Sequence, residues 1–489
     1  MKRALKILAI LCVVIELLSL SGCKPKDDGE EELIFDDPIG NEYANYPFPQ
    51  KANYAIEPML PSDKTPAEID EMILNLFAEI LLNDLIIDVN GSQTKDGFRM
   101  VYRHYQEWEI EEGEIKVSHI NVSESQGYGM MMMAYMAGCE EELKLKYDQW
   151  ILGCDRLQNY YDAMLRTVIA FPSITGENNH LFTWELTGYP KAKKNQTGYK
   201  EVDGVKTAPF TLDTKEGDSA TDGDMDIIYS LLLADKQWGS EGAYNYKQIA
   251  LDMLKDFWKY CVHQEYYTLL LGDWAVAIDD DVLRDATRTS DFIISHLKVF
   301  AEVDKDHDWQ KVIDATYKVI KDIRDAENEK GNNNGLLPDF VVRGDNKWIV
   351  PEGEVLEGDE DNAYAYNACR IPWRLGTDYL LFGDTKIGSK SLKEYIIKPL
   401  DDFVRSYTDG DLEIIGPLYL DGKPFEWDDA ETFAPELLVT AAGHGHDQTW
   451  VNQVWSYEGL SEYHGNDYGD YITIFSMMTA AGRYWLPIE

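Results

Sequence analysis

The chain has 489 residues, of which 44% are hydrophobic and 27% are charged, a composition typical of a globular protein and not of a disordered one. Its 88 acidic and 45 basic residues give a formal net charge of −43. This charge argues against a basic phosphate-binding face, so we expect no nucleic-acid partner and no anionic polysaccharide substrate. Neutral and cationic substrates remain compatible with it, and so does an acidic surface that serves solubility alone.

The N-terminus has the pattern of a targeting segment. Three basic residues within the first six positions precede an apolar run at 7–20, and a small-residue stretch ends at Cys23. This order is typical of a secretory signal, and the run is too short and too interrupted for a good membrane-spanning helix. We predict a signal peptide at 1–23. Its ending resembles a bacterial lipoprotein signal, which implies that Cys23 carries the lipid; a plain secretory signal and a short anchor are the alternatives.

Residues 24–50 have the composition of an acidic linker, with proline and glycine and no sustained period. The acidic run directly after Cys23 resembles the surface-export tag of some Gram-negative lipoproteins, although a solvated tether would have the same composition. We therefore expect a monomer at the outer membrane or cell surface, in contact with the membrane only through its lipid anchor.

Helical periodicity dominates from residue 51 onward, whereas few stretches alternate between apolar and polar residues. A long series of helices without a block of strands predicts an all-α fold of stacked helix pairs, in one domain at 51–489. The long loop at 329–362 is of a length that is usually functional. The predicted helices are Ala67–Leu82, Tyr128–Ala137, Glu141–Phe171, Asp222–Trp238, Tyr246–Cys261, Ser290–Phe300, Trp309–Asp325, Tyr364–Leu381, Leu392–Tyr407, Glu431–Ala442, Thr449–Glu458 and Tyr468–Ala481.

One predicted helix combines an acidic start with an apolar body. Asp222, Asp224 and Asp226 stand at alternate positions, and the residues from 227 to Trp238 are mostly apolar. Such a helix should be buried and should present carboxylates at one end. Those carboxylates can build a site, or they can simply cap the helix and complement its dipole.

A second acidic helix start lies in the segment 123–130. Ser123 and Gln126 have the spacing of a capping box, which places Glu124 at the first helical position. The helix dipole lowers the pKa of a carboxyl there, so a general acid at Glu124 needs a neighbouring carboxylate or an apolar pocket to oppose the dipole. Asp222 is the candidate neighbour.

Several segments together resemble glycoside hydrolase family 8. The segment 123–130 is similar to that family's S-E-G-Q-G-Y-G-M element, with Ser125 in place of glycine, and the segment 220–238 is similar to its signature, with Ile228 in place of alanine. The resemblance implies an (α/α)6 barrel with a cleft across the helix N-termini. It also implies that Glu124 is the proton donor and that Asp222 contacts the distorted sugar. Further matching segments are 271–274, 290–292, 335–340, 370–374 and 468–470.

Inverting hydrolysis requires a second carboxylate as base, about 6.5–9.5 Å from the acid. Many family members carry it in a Y-D-A-x-R element, which here contains Asn367, and an amide cannot act as a base. A subgroup with asparagine takes its base from a glutamate in an inserted upstream loop. We predict Glu357 because its apolar neighbours can seat it, with Glu354 as the second choice. The acids of that loop are Glu352, Glu354, Glu357, Asp359, Glu360 and Asp361.

Candidate substrate-binding residues are aromatic rings that could stack on sugar faces and polar groups that could orient a sugar. Core packing is the alternative for each ring, and structural ion pairing for each charged group. His444 and His446 lack other residues at ligand spacing, so we expect no metal; the scattered Cys139, Cys154, Cys261 and Cys369 indicate buried apolar positions. The substrate-binding candidates are Trp184, Trp274, Tyr366, Trp373, Asn367, Arg288, Asp291, Arg370 and Arg374.

The sequence therefore predicts an inverting endo-β-1,4-glycanase without a cofactor, which acts on a polysaccharide. The asparagine-type subgroup resembles β-glucanases, lichenases and chitosanases, which favours a β-glucan or chitosan over xylan. Alternatives are a xylanase of the same family and a surface glycan-binding lipoprotein that has lost catalysis. A polysaccharide lyase would require a cationic cleft for uronates, against which the net charge argues.

Overall fold

The structure is a computed structural model that describes residues 43–87, 100–102, 107–111, 114–146, 156–190, 200–202, 205–207, 210–214, 217–427, 429–444, 447–465 and 467–488. The predicted signal peptide, Cys23, most of the linker, Cys154 and His446 lie outside these residues. No helix within them is long and apolar enough to cross a membrane.

Helices form most of the described chain. Short 3-10 helices at 273–277, 289–291, 366–370, 412–414 and 458–460 and a π-helical turn at 393–397 join them. The α-helices are α1 Pro66–Asp84, α2 Ser123–Met136, α3 Glu140–Lys146, α4 Leu157–Ala170, α5 Thr221–Trp238, α6 Tyr246–Tyr260, α7 Asp281–Asp285, α8 Ile294–Val303, α9 Trp309–Glu329, α10 Ile371–Phe382, α11 Lys398–Thr408, α12 Ala430–Phe433, α13 Leu437–His444, α14 Gln448–Trp455 and α15 Asp467–Ala480.

Six helices close into an inner ring in the order α2, α5, α8, α10, α13, α15 and back to α2, each packing on the next. These helices are apolar around most of their circumference, as α2 and α5 show by burying nearly every residue. A second layer covers the ring: α4 packs on α2, α6 on α5, α9 on α8, α11 and α14 on α13, and α1 on α15. The predicted (α/α)6 barrel is thereby confirmed.

The expectation that no block of strands is present was wrong. Two four-stranded sheets are formed by strands that come between α1 and α5 in the chain, and shorter strands follow. One sheet has the strand order 100–102, 85–87, 205–207 and 200–202, and the other has the order 107–111, 114–122, 185–190 and 210–214. Several strands are only two or three residues long, too short for an alternating pattern to show. The strands are β1 Leu85–Ile87, β2 Met100–Tyr102, β3 Glu107–Glu111, β4 Glu114–Val122, β5 Glu185–Pro190, β6 Lys200–Val202, β7 Val205–Thr207, β8 Phe210–Thr214, β9 Thr287–Arg288, β10 Phe340–Arg343, β11 Trp348–Ile349, β12 Lys386–Ile387 and β13 Lys390–Ser391.

Two predicted helix starts differ from the observed ones at prolines. The helix predicted from Leu392 begins as a π-helical turn, and the α-helical pattern starts at Lys398, just before Pro399. The helix predicted from Tyr364 starts as a 3-10 turn and becomes α-helical at Ile371, just before Pro372. Proline lacks an N–H group and fixes φ, so it favours the first turn of a helix over its interior.

The packed domain begins earlier than predicted. Ala44 and Phe48 are buried in the core, although the sequence assigned them to the linker. The backbone N–H of Phe48 donates to the carbonyl of Ala137 at the end of α2. Residues 43–50 therefore pack against the barrel.

Candidate active site

The first candidate residue, Glu124, lies at the start of inner helix α2. The helix begins at Ser123 with Val122 as its N-cap, so Ser123 is not the capping residue that the sequence suggested. Instead, the Ser125 hydroxyl accepts from the backbone N–H of Val122 at 3.4 Å. Glu124 is thus the second helical residue. The hydrogen bond that holds this helix start comes from Ser125, the residue that replaces the family's glycine.

Helices α2 and α5 approach each other closely because glycines lie at their contact. A Cβ atom on Gly127 would stand 2.7 Å from Cβ of Asp226, and one on Gly223 would stand 2.5 Å from Cβ of Ser123. Neither glycine tolerates a side chain without a shift of the backbones. This close approach sets the first turns of the two helices side by side, and with them Glu124 and Asp222.

Arg370 joins the two carboxylates. Its Nη1 donates to Glu124 Oε1 and, at 2.7 Å, to Asp222 Oδ2. The Arg370 side chain is 1% exposed, whereas those of Glu124 and Asp222 are each 13% exposed. Arg370 immediately precedes α10, so side chains at the starts of three inner helices meet at one end of the barrel. The carboxylates keep access to solvent and the arginine lies beneath them.

Glu124 has the electrostatic environment of a general acid. Burial raises the pKa of its carboxyl to about 7; the charge of Arg370 opposes this rise, and the neighbouring Asp222 supports it. The hydroxyl of Tyr128, one turn further along α2, donates to Glu124 Oε1 at 3.0 Å and favours the ionised form. The balance leaves a carboxyl that holds its proton to near neutral pH, as the sequence argument required.

Asp222 has the opposite tendency. Burial disfavours its charge, but the charge and the hydrogen bond of Arg370 outweigh burial and hold the pKa of Asp222 below its ordinary value. The buried Asp291, which lies near it, has a pKa raised well above the usual range by burial and by the charge of Asp222. The site therefore combines one carboxylate that stays ionised with carboxyls that retain protons.

A second ion pair lies one turn deeper. Arg374 donates to both oxygens of Asp226, at 3.1 and 2.6 Å, and also to the Tyr128 hydroxyl at 3.2 Å. His296 Nε2 lies 3.0 Å from Asp226 Oδ1, and burial lowers the pKa of this histidine to about 4. The sequence analysis left Asp226 between a site residue and a partner of the helix dipole, and the structure places it in this buried ion pair. This pair fixes Tyr128, which in turn contacts Glu124.

The loop glutamate Glu357 reaches the same network from the other side. Asn367 Nδ2 donates to Glu357 Oε2 at 3.2 Å, and Arg370 Nη2 donates to Asn367 Oδ1 at 3.2 Å. Arg288 donates to Glu357 and to both oxygens of Asp339, at 3.0 and 3.1 Å. Arg288 stands opposite Phe340 in the antiparallel pair β9–β10, which brings the arginine to the loop. The asparagine that cannot be a base thus holds a carboxylate that can.

Asp361 fixes the backbone of the segment that carries Glu357. Its carboxylate accepts hydrogen bonds from the backbone N–H groups of four successive residues, 355–358, at 2.8 to 3.1 Å. Asp361 is 3% exposed. The sequence named it only as one of six loop acids, because such a turn around one carboxylate is not visible in composition. Glu354, the second candidate base, is exposed, and so is Glu357, whose side chain is 44% exposed.

The predicted aromatic platforms have different environments. Trp373 is buried, stacked on Phe475 at 5.4 Å and covered by Arg374, so its prediction as a sugar platform is wrong and it belongs to the core. Trp184 and Trp274 are partly buried, and Trp274 packs against a small apolar cluster. Tyr366 is 51% exposed, with a positive φ of 31°. Such a backbone conformation is uncommon for a tyrosine, and Tyr267 shares it with a φ of 58°.

The remaining histidine and cysteine predictions concern buried positions. His444 is buried at the end of α13, where its Nε2 lies 3.5 Å from Asp402 Oδ1. Asp402 also pairs with Lys398, and the neighbouring Asp401 accepts from the Trp450 indole at 2.8 Å. Cys139, Cys261 and Cys369 are buried, as expected for small apolar residues.

Comparisons with known proteins identify the family. The model of the glycosyl hydrolases family 8 matches residues 205–393, which include Asp222, Glu357 and Asn367. A β-glucanase of Niallia circulans is 35% identical over 365 residues, which cover 74% of this chain and 77% of the relative. The chain belongs to glycosyl hydrolase family 8. An endoglucanase of Bacillus sp. (strain KSM-330) is 28% identical, with 90% of this chain and 82% of the relative covered.

Solved structures of family 8 enzymes have the same fold. A β-1,3-1,4-glucanase from Paenibacillus sp. X4 superposes with a TM-score of 0.71 at 30% identity, covering 90% of this chain and 99% of that one. A cold-adapted family 8 xylanase superposes with a TM-score of 0.61 at 15% identity, covering 87% of this chain and 93% of that one, which bears on the fold alone. This family 8 member is a glycoside hydrolase built on an (α/α)6 barrel.

Proposed function

We propose that this family 8 hydrolase is an inverting endo-β-glucanase that cleaves a chain of β-1,4-linked glucose units, alone or in a mixed-linkage glucan. The observation that carries the proposal is the arrangement around Arg370. This side chain contacts the acid candidate Glu124 directly and the base candidate Glu357 through Asn367. The names of the relatives, a β-glucanase, an endoglucanase and a β-1,3-1,4-glucanase, support a β-glucan as substrate.

In the proposed reaction, Glu124, Glu357 and Asp222 each have one role. Protonated Glu124 gives its proton to the glycosidic oxygen as the bond to the anomeric carbon breaks. Glu357 takes a proton from a water molecule, and the water oxygen attacks the anomeric carbon from the opposite face, which inverts the configuration. Ionised Asp222 holds the distorted sugar and raises the pKa of Glu124. Arg370 holds Glu124 and Asp222 next to each other through hydrogen bonds to both. Arg288 and Asn367 orient the carboxylate of Glu357.

The choice of Glu357 as base rests on its contacts. Glu357 is held by Arg288 and Asn367 on a turn that Asp361 fixes. Both glutamates are exposed, so burial does not distinguish them and the contacts of Glu357 do. A base must keep one orientation relative to the attacking water, because small misplacements are costly in rate. Glu357 meets this requirement through side-chain contacts of its own.

The test is hydrolysis of a polysaccharide panel by the soluble chain from residue 24, which lacks the predicted signal peptide and lipid site. Mixed-linkage glucan, carboxymethylcellulose, chitosan and xylan are compared, and the anomers of the first products are followed by NMR. We expect cleavage of a β-glucan with α-anomers appearing first. Glu124→Gln and Glu357→Gln should each lower kcat by about 10²–10⁴-fold. Glu354→Gln is the matched control, with the same change three residues away.

The possible results separate the hypotheses. Full activity of Glu357→Gln together with an inactive Glu354→Gln would move the base to Glu354. Cleavage of chitosan or xylan in preference to glucan would correct the substrate and leave the mechanism in place. If no polymer is cleaved but one is bound, the chain is a glycan-binding protein that has lost catalysis.

We further propose that the mature protein is a monomer held at the outer membrane or cell surface by a lipid on Cys23. The order of basic, apolar and small residues that ends at Cys23 supports this proposal, as does the acidic run after it. Labelling of cells with a radioactive fatty acid should mark the wild type, whereas Cys23→Ala should remain unlabelled. Labelling of the Cys23→Ala variant would exclude this cysteine as the lipid site.

A further inference from the structure

Three aromatic rings lie together on a hairpin outside the carboxylate site. We call residues 415–427 the aromatic hairpin, and its rings are Tyr419, Phe425 and Trp427. Tyr419 stacks on Phe425 with ring centres 4.2 Å apart and planes 17° apart, and Trp427 lies 6.4 Å from Phe425. Phe425 is half-buried between the other two rings. Tyr419 and Trp427 are each 47% exposed.

The aromatic hairpin is held in place by backbone hydrogen bonds. The N–H of Tyr419 donates to the carbonyl of Lys423 at 2.9 Å, and that of Gly422 donates to the carbonyl of Tyr419 at 2.8 Å. The side chain of Asn334 donates to the carbonyl of Leu420 at 2.8 Å. The exposed rings therefore stand on a fixed backbone, so binding to them costs little conformational entropy.

The hairpin is joined directly to the segment that carries Asn367. Leu418 and Tyr364 exchange both backbone hydrogen bonds at 2.9 Å, as an antiparallel pair. Two residues beyond Tyr364, the half-exposed Tyr366 stacks on Tyr468 with ring centres 5.5 Å apart. The Tyr468 hydroxyl lies 3.4 Å from Asn367 Oδ1. Exposed rings thus lie both beside the carboxylates and on the hairpin paired to that segment.

We propose that the aromatic hairpin is a binding surface for the polymer chain, remote from the bond that is cleaved. β-Linked glucose units carry their hydroxyl groups at the ring edge and present flat faces of C–H groups, which pack on aromatic faces. Charged groups at the hairpin turn, Asp421 and Lys423, pair with each other. Glu426, between Phe425 and Trp427 in the chain, is exposed and adds a negative charge beside the rings. The surface therefore disfavours an anionic chain and accepts a neutral one. This inference rests on the proposed β-glucan substrate and adds where the rest of the chain lies.

The test compares a polymer with a short substrate. Kinetics are measured on mixed-linkage glucan and on the shortest oligosaccharide that the enzyme cleaves, for the wild type and for a double variant, Tyr419→Ala with Trp427→Ala. We expect KM for the polymer to rise about tenfold, since each lost stack contributes about the energy of an aromatic contact, and kcat/KM for the oligosaccharide to remain unchanged. Trp427→Phe should restore most of the polymer affinity.

Ile414→Ala is the matched control. Ile414 is 42% exposed on the 3-10 turn just before the hairpin, and its loss removes apolar surface but no ring. Polymer binding is also measured without turnover, as retardation in native gels that contain mixed-linkage glucan, in the Glu124→Gln background. The double variant should lose retardation, and Ile414→Ala should keep it.

Each outcome has one meaning. An unchanged polymer KM and unchanged gel retardation in the double variant would overturn the proposed surface while the proposed function stands. Equal decreases in kcat/KM for the polymer and for the oligosaccharide would also overturn it, because the rings would then act on the carboxylate site. Absence of cleavage of every glucan would refute the proposed function, and gel retardation would still decide whether the rings bind the polymer.

Discussion

At the scale of single residues, the groups around Glu124 set the pKa of its carboxyl. Burial and Asp222 favour the protonated form, whereas Arg370 and the Tyr128 hydroxyl favour the ionised form. The result is a pKa of about 7. A general acid must hold its proton to work, so kcat/KM should fall as the pH rises through about 7.

Replacement of Tyr128 by phenylalanine should shift this fall to higher pH. The hydroxyl donates to Glu124 and stabilises its ionised form, so its loss raises the pKa of Glu124 and keeps the acid protonated further into the alkaline range. The measurement is kcat/KM against pH on a soluble β-glucan. Tyr135→Phe is the control, since Tyr135 is a buried tyrosine of the same helix that bonds to Tyr229 and to the carbonyl of Trp485. A shift to lower pH, or the same shift in both variants, would contradict the conclusion that the Tyr128 hydroxyl stabilises the ionised form of Glu124.

At the scale of elements, the contact between α2 and α5 decides how the two carboxylates meet. Gly127 faces Asp226 and Gly223 faces Ser123, each at a distance that leaves no room for a methyl group. The sequence showed these glycines, but it could not show which partner each one approaches. Packing of this kind transmits small displacements directly to the helix starts.

Gly127→Ala should destabilise the fold by about 1–3 kcal/mol and should lower kcat, because the added methyl group forces the two helices apart. Thermal unfolding and kcat on the preferred glucan are the measurements. Gly353→Ala is the control, since nothing lies within 4 Å of the position that its Cβ would take. A Gly127→Ala variant with unchanged Tm and kcat would show that the helices can separate freely.

The loop that carries Glu357 is the second element that matters, and Asp361 is its anchor. Asp361→Ala removes the acceptor of four backbone N–H groups, so the turn at 355–358 should loosen and Glu357 should lose its fixed orientation. We expect kcat to fall about 10²-fold, with KM for a short oligosaccharide little changed.

Hydrogen exchange at residues 355–358 distinguishes the loosened turn from loss of folding. It should rise in Asp361→Ala while protection in the inner helices is kept. Asp359→Ala is the control, because Asp359 is an exposed acid of the same turn. Faster exchange with wild-type kcat would show that the reaction does not depend on this turn.

At the scale of the whole molecule, a buried polar cluster lies inside the helix ring. Asp226, Arg374 and His296 come from three inner helices, and His296 stacks on Tyr229 with ring centres 3.7 Å apart. Burial favours the neutral imidazole and lowers its pKa to about 4. The unfolded chain, with the ordinary pKa of about 6.5, takes up a proton at a higher pH than the folded chain does.

This difference predicts acid sensitivity of a defined kind. The contribution of His296 to stability is fully present above pH 6.5 and is lost as the pH falls towards about 4, by about 3 kcal/mol in all. The measurement is the free energy of unfolding of the wild type and of His296→Gln at several pH values. The gap between them should shrink on acidification, because glutamine does not titrate. A gap that is constant with pH would show that His296 has the same pKa in the folded and the unfolded chain.

The sequence by itself determined the components of this protein. Buried inner helices follow from apolar runs, and acids at two helix starts made Glu124 and Asp222 candidates. The resemblance to family 8 implied the roles of these two acids and, through Asn367, implied a base elsewhere in the chain. These features are local, and local patterns survive in any fold that buries the same residues.

Only the tertiary structure decided which of these residues meet. Arg370 links Glu124 to Glu357 through Asn367, although Glu124 lies more than two hundred positions before the other three residues in the chain. The burial of Trp373 and the anchoring role of Asp361 were equally hidden. Contacts across a closed ring of helices depend on how the helices are arranged, and helix arrangement is set by packing that no single segment encodes.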